Sequence, residues 1–343
     1  MESGRIPVTI ITGFLGSGKT TLINQIINKR YREKKFAIIE NEFGEIGIDG
    51  ALIMEAAENI FELSNGCICC SLNDGFYEVL VQLLEGSYHF DHLLVETTGI
   101  ADPTTIVKAF VSSESIQSKF VIDSVICLAD AINIEDLLEE EYEALAQVAL
   151  SDIILLNKVD SVQVDYAVRL EKMIKQINPM ARFYPVSYGN PEGIDILGLY
   201  AYSGREIRDS TYSFFPMGKT EIVKEQQLSL LTNTNVHHHK HDISAEGFSI
   251  PGNFDPGKFM LWMESFLYFN PTTIFRGKGV LSFKGKEERY IFQAVRDKFT
   301  LEPGELWNSE PRHSKLVFIG KKLQRDTLEA NLFQLRSTEN IKL

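Results

Sequence analysis

The stretch that decides the fold is "VTIITGFLGSGKTTL", residues Val8 to Leu22. Its β-branched start predicts a strand over Val8–Gly13, and the residues from Thr20 to Lys29 predict a helix. Between them, "GFLGSGKT" matches the phosphate-loop pattern G-x-x-x-x-G-K-[ST] in full. In this loop the backbone N–H groups converge on phosphate oxygens, Lys19 reaches the β- and γ-phosphates, and Thr20 ligates Mg²⁺. The sequence therefore predicts a nucleoside triphosphate site.

The surrounding sequence alternates strands and helices. Near-continuous apolar runs are typical of strands buried on both faces of a parallel sheet. They occur at 8–13, 35–41, 92–99, 123–130, 152–158 and 181–187. Predicted helices lie between them, so the first part is expected to be an α/β domain with a doubly wound, mostly parallel sheet. Ligands then belong at the carboxyl ends of the strands.

The alternation of predicted strands and helices ends after about Tyr202. We predict a P-loop GTPase domain over 1–205, a connector with a histidine-rich loop over 206–240, and a smaller α+β domain over 241–343. In this last domain, helices are expected on one face of an antiparallel sheet.

The base specificity is indicated by "LLNKVD", which places Asn157, Lys158 and Asp160 just after a buried strand. A carboxylate here can accept two hydrogen bonds from the ring N–H and the exocyclic amine of guanine. Adenine would leave it unpaired, which is costly for a buried group. The predicted nucleotide is therefore GTP. The alternative for Asp160 is a helix N-cap.

Hydrolysis is predicted to use residues at the end of another strand, in "LLVETTG". Glu96 takes the place of the carboxylate that holds Mg²⁺ through water, and the Gly99 N–H can sense the γ-phosphate. The predicted catalytic residues are Lys19, Thr20 and Glu96. The predicted nucleotide-binding residues are Gly13, Phe14, Leu15, Gly16, Ser17, Gly18, Lys19, Thr20, Thr21, Gly99, Asn157, Lys158 and Asp160. No residue is assigned to position the attacking water.

Three of the four cysteines fall in "NGCICC", at Cys67, Cys69 and Cys70. Thiolates suit soft or borderline metals such as Zn²⁺, Co²⁺ and Cu⁺. Three thiolates with one open position favour transfer of a metal, since structural zinc sites are usually closed by four protein ligands. The alternative is three small buried hydrophobic residues. The fourth cysteine, Cys127, is expected in the core.

Composition excludes some partners. The formal net charge of -13 argues against nucleic acid or an anionic membrane, because phosphates would be repelled. No apolar run approaches the ~20 residues needed to cross a bilayer, and the N-terminus lacks the features of a signal peptide. We therefore expect a cytoplasmic protein, whose thiols stay reduced.

These motifs together carry a resemblance. "GFLGSGKTTL", "ENEFGEIGID", "NGCICC", "ETTGIADP" and "NKVD", in this order, resemble the CobW-type metallochaperone GTPases. "IFRGKGVLSF", "FQAV" and "HSKLVFIG" are similar to the family's smaller C-terminal domain. The resemblance implies weak GTP hydrolysis coupled to binding a transition metal and delivering it to a client metalloprotein. The metal is most often Zn²⁺, with Co²⁺ or iron in some branches.

The resemblance also implies further site residues. Glu40 and Glu45 match accessory metal ligands of bacterial relatives, although they could simply be charges of a switch loop. The end of the cysteine motif, from Cys70 to Asp74, would lie next to GTP, so that the phosphate state governs the metal site.

Several alternatives stay open. A client maturation role could serve a cobalt or iron enzyme, as in cobalamin synthesis or nitrile hydratase activation. The protein could instead store metal with nucleotide as a regulator. A P-loop kinase fits poorly, since no arginine-bearing lid is found. A homo-oligomer and metal binding by "HHHKH" (237–241) also stay open.

Overall fold

A computed structural model of the protein describes residues 4–40, 60–63, 72–85, 89–202 and 243–337. The first part of the chain forms a seven-stranded sheet in the order β3-β2-β4-β1-β5-β6-β7, and every pair is parallel. Its strands are β1 (Ile6–Thr12), β2 (Phe36–Glu40), β3 (Ile60–Leu63), β4 (His92–Glu96), β5 (Phe120–Asp130), β6 (Ile153–Asn157) and β7 (Arg182–Pro185).

Helices cover both faces of this sheet. They are α1 (Lys19–Gln25), continued by a π-helical turn (Ile26–Arg30), then α2 (Leu72–Glu85), α3 (Thr104–Ser112), α4 (Glu114–Gln117), α5 (Ile134–Glu140), α6 (Tyr142–Leu150) and α7 (Val164–Ile177). Alternate residues of β1 enter different clusters: Ile10 packs with α2 and α3, whereas Ile11 packs with α1. The central strands are thus buried on both faces, which confirms the predicted α/β doubly wound fold.

The second part of the chain forms a five-stranded antiparallel sheet in the order β11-β10-β9-β12-β8. Its elements are β8 (Ile243–Pro251), α8 (Pro256–Phe269), β9 (Ile274–Leu281), β10 (Glu288–Val295), β11 (Lys298–Leu306), β12 (His313–Lys321) and α9 (Arg325–Gln334). Phe259 of α8 and Leu332 of α9 belong to one buried cluster with Phe248, Phe292 and Phe318 of the sheet. Both helices therefore pack on one face, as predicted for an α+β domain.

The other face of the second sheet meets the first part of the chain through a buried ion cluster. Asp152, immediately before β6, accepts hydrogen bonds of 2.5 Å from Arg276 and from Lys278. Burial alone would raise the pKa of Asp152, but the two cations hold it below its ordinary value. Phe275 and Ile319 add apolar contacts to the cluster around β6 and α6. The contact between the two sheets is therefore both charged and apolar.

The predicted domain limits at 205/206 and 240/241 fall within residues 203–242, which lie outside the described residues. They stay a prediction. Among the helices of the described ranges, none combines the length and the apolar character needed to cross a membrane.

Candidate functional site

The predicted site residues converge on the carboxyl edge of the parallel sheet. The phosphate loop follows β1, Glu96 ends β4, and Asn157 ends β6. Ile11 pairs with Glu96 across β1 and β4, which brings the end of β4 beside the start of the loop. This is the edge at which ligands bind in open α/β sheets.

The loop has a backbone that only glycine adopts readily. Gly13 and Gly18 have φ values of 142° and 104°. A Cβ at Gly13 would lie 2.3 Å from the carbonyl oxygen of Leu128, and one at Gly18 would lie 2.5 Å from Nδ2 of Asn157. Side chains at either position would push the loop off β5 and β6.

Lys19 is buried and points along this loop. Its Nζ donates to the carbonyl oxygens of Gly13 at 3.0 Å and Phe14 at 3.4 Å. The ammonium group therefore lies against the loop whose amide groups are expected to surround the phosphates. Leu15 is largely exposed, and Thr21 is exposed in the first turn of α1.

Thr20 and Glu96 come together although they are 76 positions apart. The hydroxyl of Thr20 donates to Oε1 of Glu96 at 3.4 Å. Hydroxyl and carboxylate oxygens are the hard ligands that Mg²⁺ prefers. The two oxygens are close enough to hold one Mg²⁺ directly or through a bound water, so the pair fits the predicted ion.

Gly99 lies directly against the phosphate loop. A Cβ there would come within 2.6 Å of the backbone nitrogen of Leu15. The residues leading to it are fixed to β1, because the Thr97 N–H donates to the carbonyl of Ile11 at 2.9 Å and the Thr97 hydroxyl donates to Thr12 at 2.9 Å. The loop after β4 therefore tolerates no side chain at position 99.

Asn157 connects two loops through hydrogen bonds of its side chain. Its side chain is buried, donates to the carbonyl of Ser17 at 2.8 Å and accepts from the N–H of Gly189 at 2.9 Å. The phosphate loop and the loop after β7 are thereby joined at the end of β6.

Lys158 has a left-handed backbone, with φ at 63°, and its Nζ forms an ion pair with Oδ2 of Asp130 at 2.8 Å. Asp130 is buried at the end of β5 and also accepts from the N–H of Ile132. Asp130 is not among the residues that the sequence predicted for the site. The signal that could have found it is a carboxylate closing the apolar run "VICLAD".

Asp160 is exposed within a short 3₁₀ turn, Val159–Ser161. Its carboxylate accepts a long hydrogen bond of 3.4 Å from Ser161, which leaves acceptor positions for a base. Helix α7 starts later, with Gln163 at its N-cap. The alternative of an N-cap of α7 for Asp160 is therefore wrong.

We expect Asp160→Asn to change nucleotide preference from GTP toward XTP. The asparagine side chain offers one acceptor and one donor. The donor suits the carbonyl that replaces the exocyclic amine of guanine in xanthine. With guanine, by contrast, one donor of the base is left unpaired. The bound base would cover this carboxylate, and a mismatched polar contact covered in this way costs about 1–3 kcal/mol, or about 5- to 150-fold in affinity. Competition of GTP and XTP for a fluorescent nucleotide measures this preference, and an unchanged ratio would remove Asp160 from base recognition.

The predicted metal ligands Cys67, Cys69, Cys70 and Glu45 lie outside the described residues. Glu40 is the last residue of β2, and its backbone pairs with Glu96 across β2 and β4. In the described ranges, no group of three or more His, Cys, Asp or Glu side chains is placed to hold a metal ion.

Two family descriptions match the chain. Residues 7–185 match "CobW/HypB/UreG, nucleotide-binding domain", and residues 243–336 match "Cobalamin synthesis protein cobW C-terminal domain". Zinc chaperone YjiA of Escherichia coli K12 is 34% identical over 335 residues, covering 96% of this chain and 99% of that protein. Zinc-regulated GTPase metalloprotein activator 1 of Schizosaccharomyces pombe is 29% identical over 351 residues, covering 93% and 83%.

Solved structures give the same result. The crystal structure of Zn(II)-bound YjiA GTPase from E. coli has a TM-score of 0.68 and 29% identity, covering 97% of this chain and 100% of that one. A variant of YjiA with one glutamate and two cysteines replaced by alanine, also described as Zn(II)-bound, matches equally well. The phosphate loop between β1 and α1, the parallel sheet and the C-terminal antiparallel sheet all agree with these matches: the chain belongs to the CobW family and has the P-loop GTPase fold.

Proposed function

We propose that the protein is a GTP-hydrolysing zinc chaperone that delivers its metal to a client metalloprotein. The observation that carries the proposal is the convergence of Lys19, the Thr20–Glu96 pair and Gly99 at one edge of the sheet. Lys19 and Thr20 follow β1, Glu96 ends β4 and Gly99 follows it, and each group suits one part of a triphosphate with its Mg²⁺.

Each residue has a distinct role in hydrolysis. Lys19 turns from the loop carbonyls to the β- and γ-phosphate oxygens and stabilises the charge that develops there. Thr20 and Glu96 hold Mg²⁺, which neutralises the phosphates when bound. The Gly99 N–H donates to a γ-phosphate oxygen while water attacks the γ-phosphorus in line with its bond to the β–γ bridging oxygen; that bond breaks, GDP leaves with the bridging oxygen, and the water's proton passes to the phosphate product or to solvent. Asp160 selects guanine, and Lys158 belongs to the same short motif as Asp160.

Zinc binding is supported by relatives and by position. The chain's relatives are named zinc chaperones and zinc-regulated GTPase activators. We assign the metal to Cys67, Cys69 and Cys70, with Glu40 and Glu45 as accessory ligands. The cysteine stretch joins the carboxyl end of β3 to the start of α2. Since β3 is parallel to β2, its carboxyl end lies at the edge of the sheet that holds the phosphate loop.

Nucleotide and metal are proposed to be coupled at this edge. Glu40 ends β2 directly beside Glu96 of β4, so a zinc ligand and a magnesium ligand occupy paired positions. A γ-phosphate and its Mg²⁺ order the loops around them, and loss of the phosphate releases those loops. A zinc site on the same edge would then be assembled with GTP and loosened after hydrolysis.

A zinc competition titration tests the proposal. The reduced protein is saturated with a non-hydrolysable GTP analogue or with GDP, and a chromophoric chelator competes for Zn²⁺. We expect zinc affinity at least about 10-fold higher with the analogue, equal to about 1.4 kcal/mol of coupling. Equal affinities would contradict the coupling. Preferential retention of Co²⁺ or Fe²⁺ over Zn²⁺ in the same assay would contradict a zinc-specific role.

A further inference from the structure

Arg296 links the second sheet to the loop that follows β4. Arg296 occupies the turn between β10 and β11, with φ at 55°, and is buried. Its Nη2 donates to Oδ2 of Asp102 at 2.9 Å and to the hydroxyl of Tyr142 at 2.7 Å. The guanidinium carbon lies 4.0 Å from the centre of the Phe275 ring. Its position is therefore fixed by an ion pair, a hydroxyl and an aromatic face.

Asp102 connects this arginine to the loop after β4. Its Oδ1 accepts from the N–H of Thr104 at 2.9 Å, which fixes the start of α3. Within the loop, the N–H of Ala101 donates to the carbonyl of Thr98 at 3.1 Å. Asp102 thus anchors the far end of the segment that carries Gly99.

Gln147 of α6 holds the same segment from another side. It is 1% exposed, and its Nε2 donates to the carbonyls of Gly99 and Ala101 at 3.2 Å each. The same helix begins with Tyr142, which accepts from Arg296. Gly99 is therefore supported by α6 directly and by the second sheet through Asp102.

We propose that Arg296 is a positioning residue for GTP hydrolysis, acting through Asp102 on the placement of the Gly99 N–H. The inference rests on the proposed function, because it concerns the γ-phosphate of GTP. Gly99 packs against the backbone of Leu15 with no room for a side chain. A small shift of Asp102 therefore changes the direction of the Gly99 N–H. GDP has no γ-phosphate and does not depend on this donor.

The same turn offers a matched control. Asp297 follows Arg296 and forms an ion pair with Lys108 of α3. This pair crosses the same contact between the two sheets, but it touches helix α3 beyond the Gly99 segment. Lys108→Met therefore weakens the contact without releasing Asp102.

The test compares Arg296→Gln, Asp102→Asn, the double variant and Lys108→Met. Asparagine keeps the oxygen that accepts from Thr104 and removes the charge that pairs with Arg296. Misplacing a reacting group by about 1 Å can cost about 100-fold. We expect kcat for GTP hydrolysis to fall by about 10- to 100-fold in each single variant. Affinity for a GTP analogue should fall, while GDP affinity stays within about 2-fold of wild type.

The loss of kcat in the double variant tests whether Arg296 and Asp102 act together. We expect the double variant to lose no more than the stronger single variant, because both act through one interaction. Lys108→Met should retain wild-type kcat. Wild-type kcat in both Arg296→Gln and Asp102→Asn would overturn the inference while leaving the proposed function standing. Equal losses of GTP-analogue and GDP affinity, as from general loosening, would also overturn it. Absence of hydrolysis in the wild-type protein would instead overturn the proposed function.

Discussion

Replacing Lys19 with alanine is expected to reduce kcat for GTP hydrolysis by at least about 100-fold. Removing one preorganised donor to developing negative charge typically costs 10²–10³ in kcat, and Lys19 supplies a full positive charge to the phosphates. The side chain is buried against the phosphate loop, where charge interactions are less screened than in water. Phosphate release at saturating GTP and Mg²⁺ is the measurement.

The control is Lys119→Ala. Lys119 is exposed and immediately precedes β5, so it lies at the amino edge of the sheet, opposite the candidate site. This variant loses the same charge from the chain and should retain wild-type turnover. Hydrolysis at the wild-type rate by Lys19→Ala, with a folded protein shown by an unchanged thermal transition, would remove the assigned role of the phosphate loop.

The sequence predicted the central strands well because each is buried on both faces. The runs that became β1, β4, β5 and β6 are mostly apolar, and the structure buries nearly every side chain in them. The pattern did not predict β3, a four-residue strand that, in the part of the chain that the structure describes, pairs with β2 alone. An edge strand of this length is too short to show a recognisable pattern of apolar residues, and its position is set by its pairing with β2.

The sequence predicted helical structure between β4 and β5 but gave no bounds for helix α3. Its sequence, "TTIVKAFVS", is rich in β-branched residues, which have lower helix propensity. Burial of Ile106, Val107 and Phe110 against the sheet overrides that local preference. Tertiary packing of an apolar face decides the conformation here.

The candidate site likewise contains residues that the sequence predicts and residues that it does not. The phosphate loop and "NKVD" are contiguous motifs, so residue type and spacing were enough to predict them. Asp130, Gln147 and Arg296 were not predicted, because their partners are distant in sequence. Gln147 contacts Gly99 across 48 positions, and Arg296 contacts Asp102 across 194. Only the packing of α6 and of the second sheet against the first brings these groups together.

Replacing Cys69 with alanine is expected to remove tight zinc binding. Structural zinc sites with four ligands bind with about 10–16 kcal/mol, so loss of one thiolate costs on the order of 3 kcal/mol, or about 100-fold in affinity. The loss should be larger with a GTP analogue than with GDP, because the nucleotide is proposed to assemble the site that Cys69 completes. Chelator competition on the reduced protein measures the affinity in both states.

The fourth cysteine provides the matched control. Cys127 lies in β5 and is 1% exposed, and burial raises the pKa of its thiol to about 12. It therefore supplies no thiolate near neutral pH, and Cys127→Ala should leave zinc affinity unchanged. The affinity of the tightest zinc site is the deciding quantity, rather than the total zinc that the protein binds. Unchanged tight binding in Cys69→Ala would place the zinc site on other residues and separate it from the nucleotide edge.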